Sequence, residues 1–119
     1  METIEITGVR YTPDEPTKKY VMKKIGGLSR FLPRHARKTF GGEVVLQEVN
    51  RENGNKYECD AKIMVPGKVL AAKDSTMNMM AAIDIVEAKL AEQLKKYKET
   101  NLPAKGWRAR VARIKQQIG

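Results

Sequence analysis

Alternation of polar with β-branched or aliphatic residues predicts four short strands along the chain. Asn53-Gly54-Asn55 separates the second strand from the third, and Pro66-Gly67 separates the third from the fourth. In the latter turn proline fixes φ and glycine supplies a positive φ, so we expect the last three strands to form two antiparallel hairpins. The strands are predicted over residues 2–7, 43–50, 56–65 and 69–73.

A period of about 3.6 residues replaces the alternation after the first strand. The apolar stripe consists of Val21, Ile25, Leu28 and Leu32. We predict a helix that continues to Phe31 or Leu32, because Pro33 cannot extend it.

Two start signals compete at the beginning of this helix. Asp14 is the better candidate for the N-cap, because Pro16 then lies in the first turn, where a missing N–H group costs least. A capping box formed by Thr12 and Glu15 is the alternative.

A second helix is predicted from about Ser75 through Glu99, because the run Asn101-Leu102-Pro103 ends it. Its apolar stripe consists of Met79, Ile83, Val86, Leu90, Leu94 and Tyr97. The element order is therefore β-α-β-β-β-α. Antiparallel strands combined with helices in this way predict an α+β fold in which helices pack on a sheet.

The length of 119 residues predicts one domain with a modest core. We place this domain at residues 1–99 and assign residues 100–119 to a basic C-terminal tail. The chain has no apolar run long enough for a bilayer and no secretory signal pattern, so a cytoplasmic location without membrane contact is expected. Cys59, the single cysteine, is interpreted as a half-buried strand residue, and His35 lacks companions at metal-ligand spacing. We therefore expect no metal and no cofactor.

Positive charge is concentrated in two tracts of a chain whose net charge is +9. Residues 16–42 contain eight Lys or Arg and no acidic residue, whereas residues 89–119 contain nine against Glu92 and Glu99. A phosphate-rich partner is the first candidate, because segregated positive charge releases counterions from a nucleic acid. Ordinary solvated helix faces are the alternative, although such faces normally mix Glu with Lys.

The predicted helices group these basic residues by face, at 100° per residue. Opposite the apolar stripe of the first helix lie Lys19, Lys23 and Arg30, with Lys24 on its flank. One narrow arc beside the stripe of the second helix holds Lys89, Gln93 and Lys96, and the other side holds Lys95 and Lys98. Helices packed side by side on one sheet face would present a basic plate that straddles phosphates.

Motifs for reading base edges are absent, which favours recognition of backbone and shape. An enzyme is disfavoured, because the chain has no Gly-rich phosphate loop and no local His-Asp or Cys-His pairing. In the tail, an unpaired base and its phosphates could be held by Trp107, Arg108, Arg110 and Arg113. The alternatives are a solubilising tail, or a short helix that docks Trp107 and Ile114 on the domain.

The run Asn78-Met-Met-Ala-Ala-Ile-Asp84, with residues 89–98 after it, resembles the second helix of the ribosome hibernation promoting factors and ribosome-associated translation inhibitors. Residues 4–8 and 20–31 are similar to the first strand and first helix of this family, also called sigma-54 modulation proteins. The resemblance covers roughly residues 2–98. It implies a four-stranded sheet with two helices on one face, and binding to the small ribosomal subunit over the mRNA path and the A and P tRNA sites. A basic plate held on rRNA there would exclude mRNA and tRNA and so silence idle ribosomes.

The resemblance also implies which residues contact rRNA. Basic family positions are matched by Lys18, Lys24, Arg30, Lys89, Lys96 and Lys98, and the plate adds Lys23 and Gln93. Three positions depart from the second-helix pattern: Asn78 replaces an acidic residue, Met80 an aromatic residue and Glu92 an arginine, so we expect one rRNA contact to be lost or rerouted. Gly27 replaces a usual lysine, which weakens the basic patch of the first helix.

Long family members carry a C-terminal dimerisation domain, for which 119 residues leave no room. We therefore expect a short form that is a monomer away from the ribosome. Two alternative functions remain open: a general module for structured RNA or other nucleic acid, and a regulator that binds another protein through its sheet.

Overall fold

The computed structural model describes residues 3–50, 52 and 54–100, which form a four-stranded sheet with helices packed on one face. The strands are β1 (Thr3–Val9), β2 (Gly41–Glu48), β3 (Tyr57–Val65) and β4 (Lys68–Thr76). The helices are α1 (Glu15–Lys24), α2 (Arg34–Arg37) and α3 (Met79–Thr100), and a 3-10 helix (Gly26–Phe31) lies between the first two. The predicted α+β class is confirmed, with one short helix more than expected.

The strands follow one another across the sheet in the order β1-β2-β3-β4. β1 pairs with β2 in parallel, and the chain between them crosses over through α1. β2 with β3, and β3 with β4, form the two predicted antiparallel hairpins. The turn between β3 and β4 has Gly67 at φ +76°, as its position in the sequence predicts.

The core lies between the sheet and the helices. Alternate residues of β2, β3 and β4 face it, among them Val44, Ile63 and Leu70. Both predicted stripes are confirmed, because every member is at most 6 % exposed. The core is therefore the one that the hydrophobic pattern predicts.

The first helix differs from its prediction at its C-terminal end. Asp14 is the N-cap, its carboxylate accepting a hydrogen bond of 2.9 Å from the Thr17 N–H group, so the alternative capping box is wrong. The α-helix ends at Lys24, and Gly26–Phe31 continues as a 3-10 helix. Two consecutive glycines lower helix propensity at the point of change. The tighter winding still buries Leu28.

The start of α3 also differs from its prediction. Ser75 and Thr76 belong to β4, which is longer than expected, and the helix begins at Met79. The Asn78 side-chain oxygen accepts hydrogen bonds from the N–H groups of Met80 and Ala81. Asn78, where the resemblance implies an acidic residue, thus caps the helix.

Candidate nucleic-acid interface

The lysines of α1 project from the helix side that the core leaves free. Val21 is completely buried, and Lys18, Lys19 and Lys23 are exposed. Lys18 Nζ lies 3.8 Å from Glu15 Oε1, but both side chains are largely solvated, so water screens this pair strongly. The three exposed lysines of α1 therefore carry positive charge that nearby carboxylates offset only weakly.

Lys24, also predicted to contact rRNA, lies in a contact between α1 and α3. Its ammonium group is 3.6 Å from Asp84 Oδ1 and 3.8 Å from Glu87 Oε1. It also lies 5.5 Å from the centre of the Tyr20 ring. The Tyr20 hydroxyl donates to Asp84 Oδ1 at 2.5 Å, and this hydrogen bond raises the pKa of Tyr20. These contacts fasten the two helices side by side and leave Lys24 with two nearby carboxylates.

Arg30 is held in place by its own segment. Its Nη1 donates to the Gly27 carbonyl oxygen at 2.7 Å, and its guanidinium carbon lies 4.4 Å from the centre of the Phe31 ring. A Cβ at position 27 would lie 3.1 Å from the same Nη1. Gly27, where the resemblance implies a lysine, thus avoids a tight contact with the Arg30 guanidinium. The Arg30 guanidinium remains exposed. This segment therefore has one basic side chain fewer than the resemblance implies, but its arginine is held in one position.

Arg37 has a structural role that sequence reasoning missed. The hydrophobic pattern predicts no element between Pro33 and the second strand, but Arg34–Arg37 forms α2. The Arg37 guanidinium donates to the carbonyl oxygens of Leu32 at 2.9 Å, Ser29 at 3.2 Å and Arg30 at 3.2 Å. It satisfies carbonyl groups at the end of the 3-10 helix. The only available signal was an arginine shortly after a helix end.

Three residues of α3 form what we call the edge row: Lys89, Gln93 and Tyr97, four positions apart. β4 is an edge strand, and this row donates hydrogen bonds to its carbonyl groups and to the carbonyl group of Pro66 in the turn before it. Gln93 Nε2 donates to the Ala71 oxygen at 2.8 Å, and Tyr97 donates to the Pro66 oxygen at 2.5 Å.

Lys89 is the charged member of the edge row, and it forms an ion pair as well as a hydrogen bond. Its Nζ lies 2.9 Å from Asp74 Oδ2 and 3.4 Å from the Lys73 oxygen. The hydrogen bond from Lys89 lowers the pKa of Asp74. Two of the predicted rRNA contacts, Lys89 and Gln93, therefore fasten α3 to the sheet.

The last turns of α3 carry the remaining predicted contacts. Lys96 Nζ lies 3.9 Å from Glu92 Oε1, with both side chains about three-quarters exposed. Lys98 is half-buried. By helical rotation Lys98 lies on the side of Asp84 and Glu87, which faces α1, whereas Lys96 lies on the side of the edge row. The two helices do pack together as expected, but the predicted arc of Lys89, Gln93 and Lys96 faces away from α1.

The two helical regions differ in charge. Residues 15–38, which we call the first basic region, contain eight Lys or Arg and one acidic residue. α3 contains four lysines and four acidic residues. The positive potential of the described helical layer therefore comes from the first basic region. The tail residues Trp107, Arg108, Arg110 and Arg113 lie outside the described residues.

The part of the chain that the structure describes gives little support for a reactive thiol, a metal site or a membrane-spanning helix. Cys59 is completely buried, more than the half-buried position expected, and burial raises the pKa of its thiol to about 12. Within residues 3–50, 52 and 54–100 there is no cluster of His, Cys, Asp or Glu suited to a metal ion. Over the same ranges, no helix is long and apolar enough to cross a membrane.

Comparison with known proteins places this surface in a family context. The model of the family described as Sigma 54 modulation protein / S30EA ribosomal protein matches residues 4–101. The chain belongs to this family. The family that the sequence resembles is therefore confirmed.

Curated relatives carry a common name. A ribosome hibernation promotion factor from a Picosynechococcus species is 30% identical over 101 residues, which are 84% of this chain and 51% of that protein. One from Deinococcus radiodurans is 29% identical over 100 residues, which are 82% of this chain and 50% of that protein. The chain thus spans about half the length of the curated relatives it matches. Their names refer to ribosome hibernation and not to a reaction, in agreement with the expectation of a non-enzymatic protein.

Solved structures share the fold. The N-terminal domain of Thermus thermophilus Protein Y superimposes with a TM-score of 0.69 at 22% identity, over 82% of this chain and 99% of that domain. A ribosomal subunit interface protein from Coxiella burnetii gives a TM-score of 0.64 at 25% identity, over 81% of this chain and 97% of that protein. The four-stranded sheet with helices on one face is thus common to this chain and both structures.

Proposed function

We propose that the chain is a ribosome-associated hibernation factor that binds the small ribosomal subunit through its helix-bearing face. It lies over the mRNA path and the A and P tRNA sites and silences idle ribosomes by excluding mRNA and tRNA. The family match and the names of the relatives support the ribosome as partner. The observation that carries the binding surface is the exposure of Lys18, Lys19 and Lys23 in the first basic region, where rRNA phosphates can reach them.

The residues of this surface divide into two roles. We assign direct phosphate contacts to Lys18, Lys23, Arg30, Lys96 and Lys98. Lys24, Lys89 and Gln93 keep a place at the interface, but their contacts within the protein make them positioning residues first. Each positioning residue sets how the helices sit on the sheet, and so sets the spacing of the phosphate-binding charges.

The tail supplies a separable part of the proposal. On the ribosome, Trp107 stacks on an unpaired base, and Arg108, Arg110 and Arg113 bind phosphates. Removing residues 101–119 takes away five Lys or Arg and no acidic residue. The truncated chain should therefore bind small subunits more weakly.

Salt dependence tests the electrostatic part of this function. Binding to purified small subunits is measured by sedimentation through sucrose at increasing salt concentration. Eight phosphate contacts on rRNA, five on the helix-bearing face and three in the tail, predict that log K falls with log salt with a slope of about −6. Binding that is insensitive to salt would rule out the phosphate-binding surface.

Competition tests the ribosomal site. Excess mRNA and tRNA should displace the protein from small subunits, since all three occupy the same path. A structured RNA of similar length that does not bind this path serves as the control and should displace little. Equal displacement by the control RNA would show a general RNA-binding module, and failure of tRNA and mRNA to displace would show a different site on the subunit.

A further inference from the structure

The sheet face opposite the helices, which we call the outer face, has a different character from the rest of the protein. Its apolar members include Val9, Met64 and Val69, which are 40%, 43% and 56% exposed. By strand alternation it also carries four acidic and two basic residues, Glu5, Glu43, Glu58, Asp60, Lys62 and Lys73. In a chain of net charge +9, this face thus has an acidic excess and exposed apolar side chains.

A shallow depression of about 350 Å³ lies at one end of the outer face. Glu5 and Glu43, neighbours in the β1–β2 register, form one wall, and Met64 forms another. Gly41 contributes no side chain to this face, so part of the floor is flat backbone. Lys38 also lines the depression. The carboxylates suit cationic side chains, and Met64 beside exposed backbone suits an aromatic ring.

The tail of this chain has the complementary character. Residues 101–119 contain five Lys or Arg, no acidic residue and the only tryptophan of the protein. Its apolar residues Trp107, Val111, Ile114 and Ile118 are spaced four, three and four positions apart, as on one face of an amphipathic helix. The tail therefore combines an apolar stripe with positive charge, whereas the outer face combines exposed apolar residues with negative charge.

The tail also begins at the end of the sheet where the depression lies. Tyr97 near the end of α3 bonds to Pro66 in the β3–β4 turn, and Met64 and Val69 are paired just before that turn. From Thr100 to Trp107 the chain advances seven residues, which span up to about 23 Å when extended. Crossing one layer of about 10 Å and two strand spacings of about 5 Å requires roughly 20 Å.

We propose that, in the chain free of RNA, residues 101–119 dock on the outer face of their own sheet. Trp107 occupies the depression beside Met64, and the tail arginines pair with Glu5 and Glu43. The outer face is thus an intramolecular binding site for a basic amphipathic segment. This arrangement also keeps the tail away from the helix-bearing face, whose positive charge repels it.

The single tryptophan makes the proposal directly measurable in the intact protein. Fluorescence quenching by acrylamide, a neutral quencher, reports the exposure of Trp107 alone. A peptide of residues 101–119 gives the fully exposed reference. We expect slower quenching and blue-shifted emission in the chain than in the peptide, and loss of both effects in the Glu5→Lys/Glu43→Lys variant.

Matched variants separate docking from general charge effects. Glu15→Lys/Glu92→Lys makes the same change of charge at carboxylates that are 76% and 73% exposed on the helices, and it should retain the protection. If the double lysine variant on the outer face fails to fold, as judged by circular dichroism, Glu5→Gln/Glu43→Gln removes the carboxylate charges more mildly and should also reduce the protection.

Three results would overturn the proposal. The first is that Trp107 in the chain is quenched as fast as in the peptide. The second is that its protection survives neutralisation of Glu5 and Glu43. The third is that protection rises with protein concentration together with dimer formation in sedimentation, which would show that the tail docks on a second copy. None of these measurements involves a ribosome, so their outcome is independent of the proposed function.

Discussion

The first basic region and α3 both carry clustered lysines, but these lysines differ in how many contacts they make within the fold. Lys18 and Lys23 on α1 extend into solvent, whereas Lys89 and Gln93 on α3 are used to hold the edge of β4. The first basic region has one acidic residue, and α3 has as many acidic residues as lysines. A lysine is most available to an RNA phosphate where its contacts within the fold are few and are screened by water.

The largest expected effect is loss of ribosome binding on charge reversal in the first basic region. Lys18→Glu/Lys23→Glu removes two phosphate contacts and adds two repulsions. At about 0.7 kcal/mol for each, affinity for small subunits falls roughly 100-fold at moderate salt. Lys56→Glu/Lys68→Glu, at the two ends of the β3–β4 hairpin, makes the same charge change and should cost much less. Equal losses in the two variants would show that net charge alone governs binding.

A substitution in the edge row should lower the stability of the fold more than it lowers affinity for small subunits. Lys89→Gln breaks the contacts with Asp74 and the Lys73 carbonyl and lowers the free energy of unfolding by about 1 kcal/mol. Affinity for small subunits should fall less than about threefold, the change for one surface charge. Lys23→Gln should leave stability unchanged and weaken binding more. Urea unfolding and sedimentation binding, measured on both variants, decide whether the distinction holds.

Arg37 tests whether every basic residue of the first region is available to RNA. Arg37→Gln removes hydrogen bonds to three carbonyl oxygens and should lower the free energy of unfolding by about 1 kcal/mol, with a fall of about 4 °C in Tm. The salt slope of small-subunit binding should remain that of the parent chain. A shallower slope would instead make Arg37 a phosphate contact.

The contact between α1 and α3 predicts a smaller change of opposite sign in binding. Asp84→Asn removes a carboxylate beside Lys24 and should raise affinity for small subunits about twofold, while stability falls slightly. The hydrogen bond to Asp84 raises the pKa of Tyr20, so this variant should lower the pKa of that tyrosine. Alkaline titration of tyrosine absorbance checks the second point. An unchanged titration would mean that the Tyr20–Asp84 contact is not formed in solution.

The smallest effect concerns acid stability. The hydrogen bonds from Thr17 and from Lys89 lower the pKa values of Asp14 and Asp74, respectively. Both carboxylates therefore stabilise the fold fully above the unfolded value of 3.8, and this contribution is lost as pH falls through the lower folded pKa values. Thermal unfolding of Asp74→Asn should show a weaker acid dependence than that of the parent chain. An identical dependence would remove Asp74 from the groups that respond to acid.

The hydrophobic pattern was sufficient for most of the fold. Both apolar stripes, the Asp14 cap and the turn at Gly67 are present as predicted, because each depends on residues close in sequence. The change to a 3-10 helix at Gly26 was missed, since the same residues remain buried in either winding. Helix α2 was missed because four residues carry too short a pattern to detect.

The candidate site was less predictable than the fold. Its lysines were identified by type and helical face, but Tyr20, Arg37 and Asp84 were not expected to take part. Their partners lie on other segments, and the identity of a neighbour is not encoded in the periodicity of a single helix. The depression beside Gly41 likewise exists only because three strands meet there.

The sequence by itself determined the elements, the buried stripes, the segregation of positive charge and the resemblance to a family that the comparison confirmed. Only the tertiary structure decided which charged residues are available. It brought Asp74 to Lys89 and Asp84 to Lys24, and it left Lys23 exposed. The physical reason is that burial periodicity depends on the local backbone, whereas neutralisation of a charge depends on groups that only the packing of distant segments brings within a few ångströms.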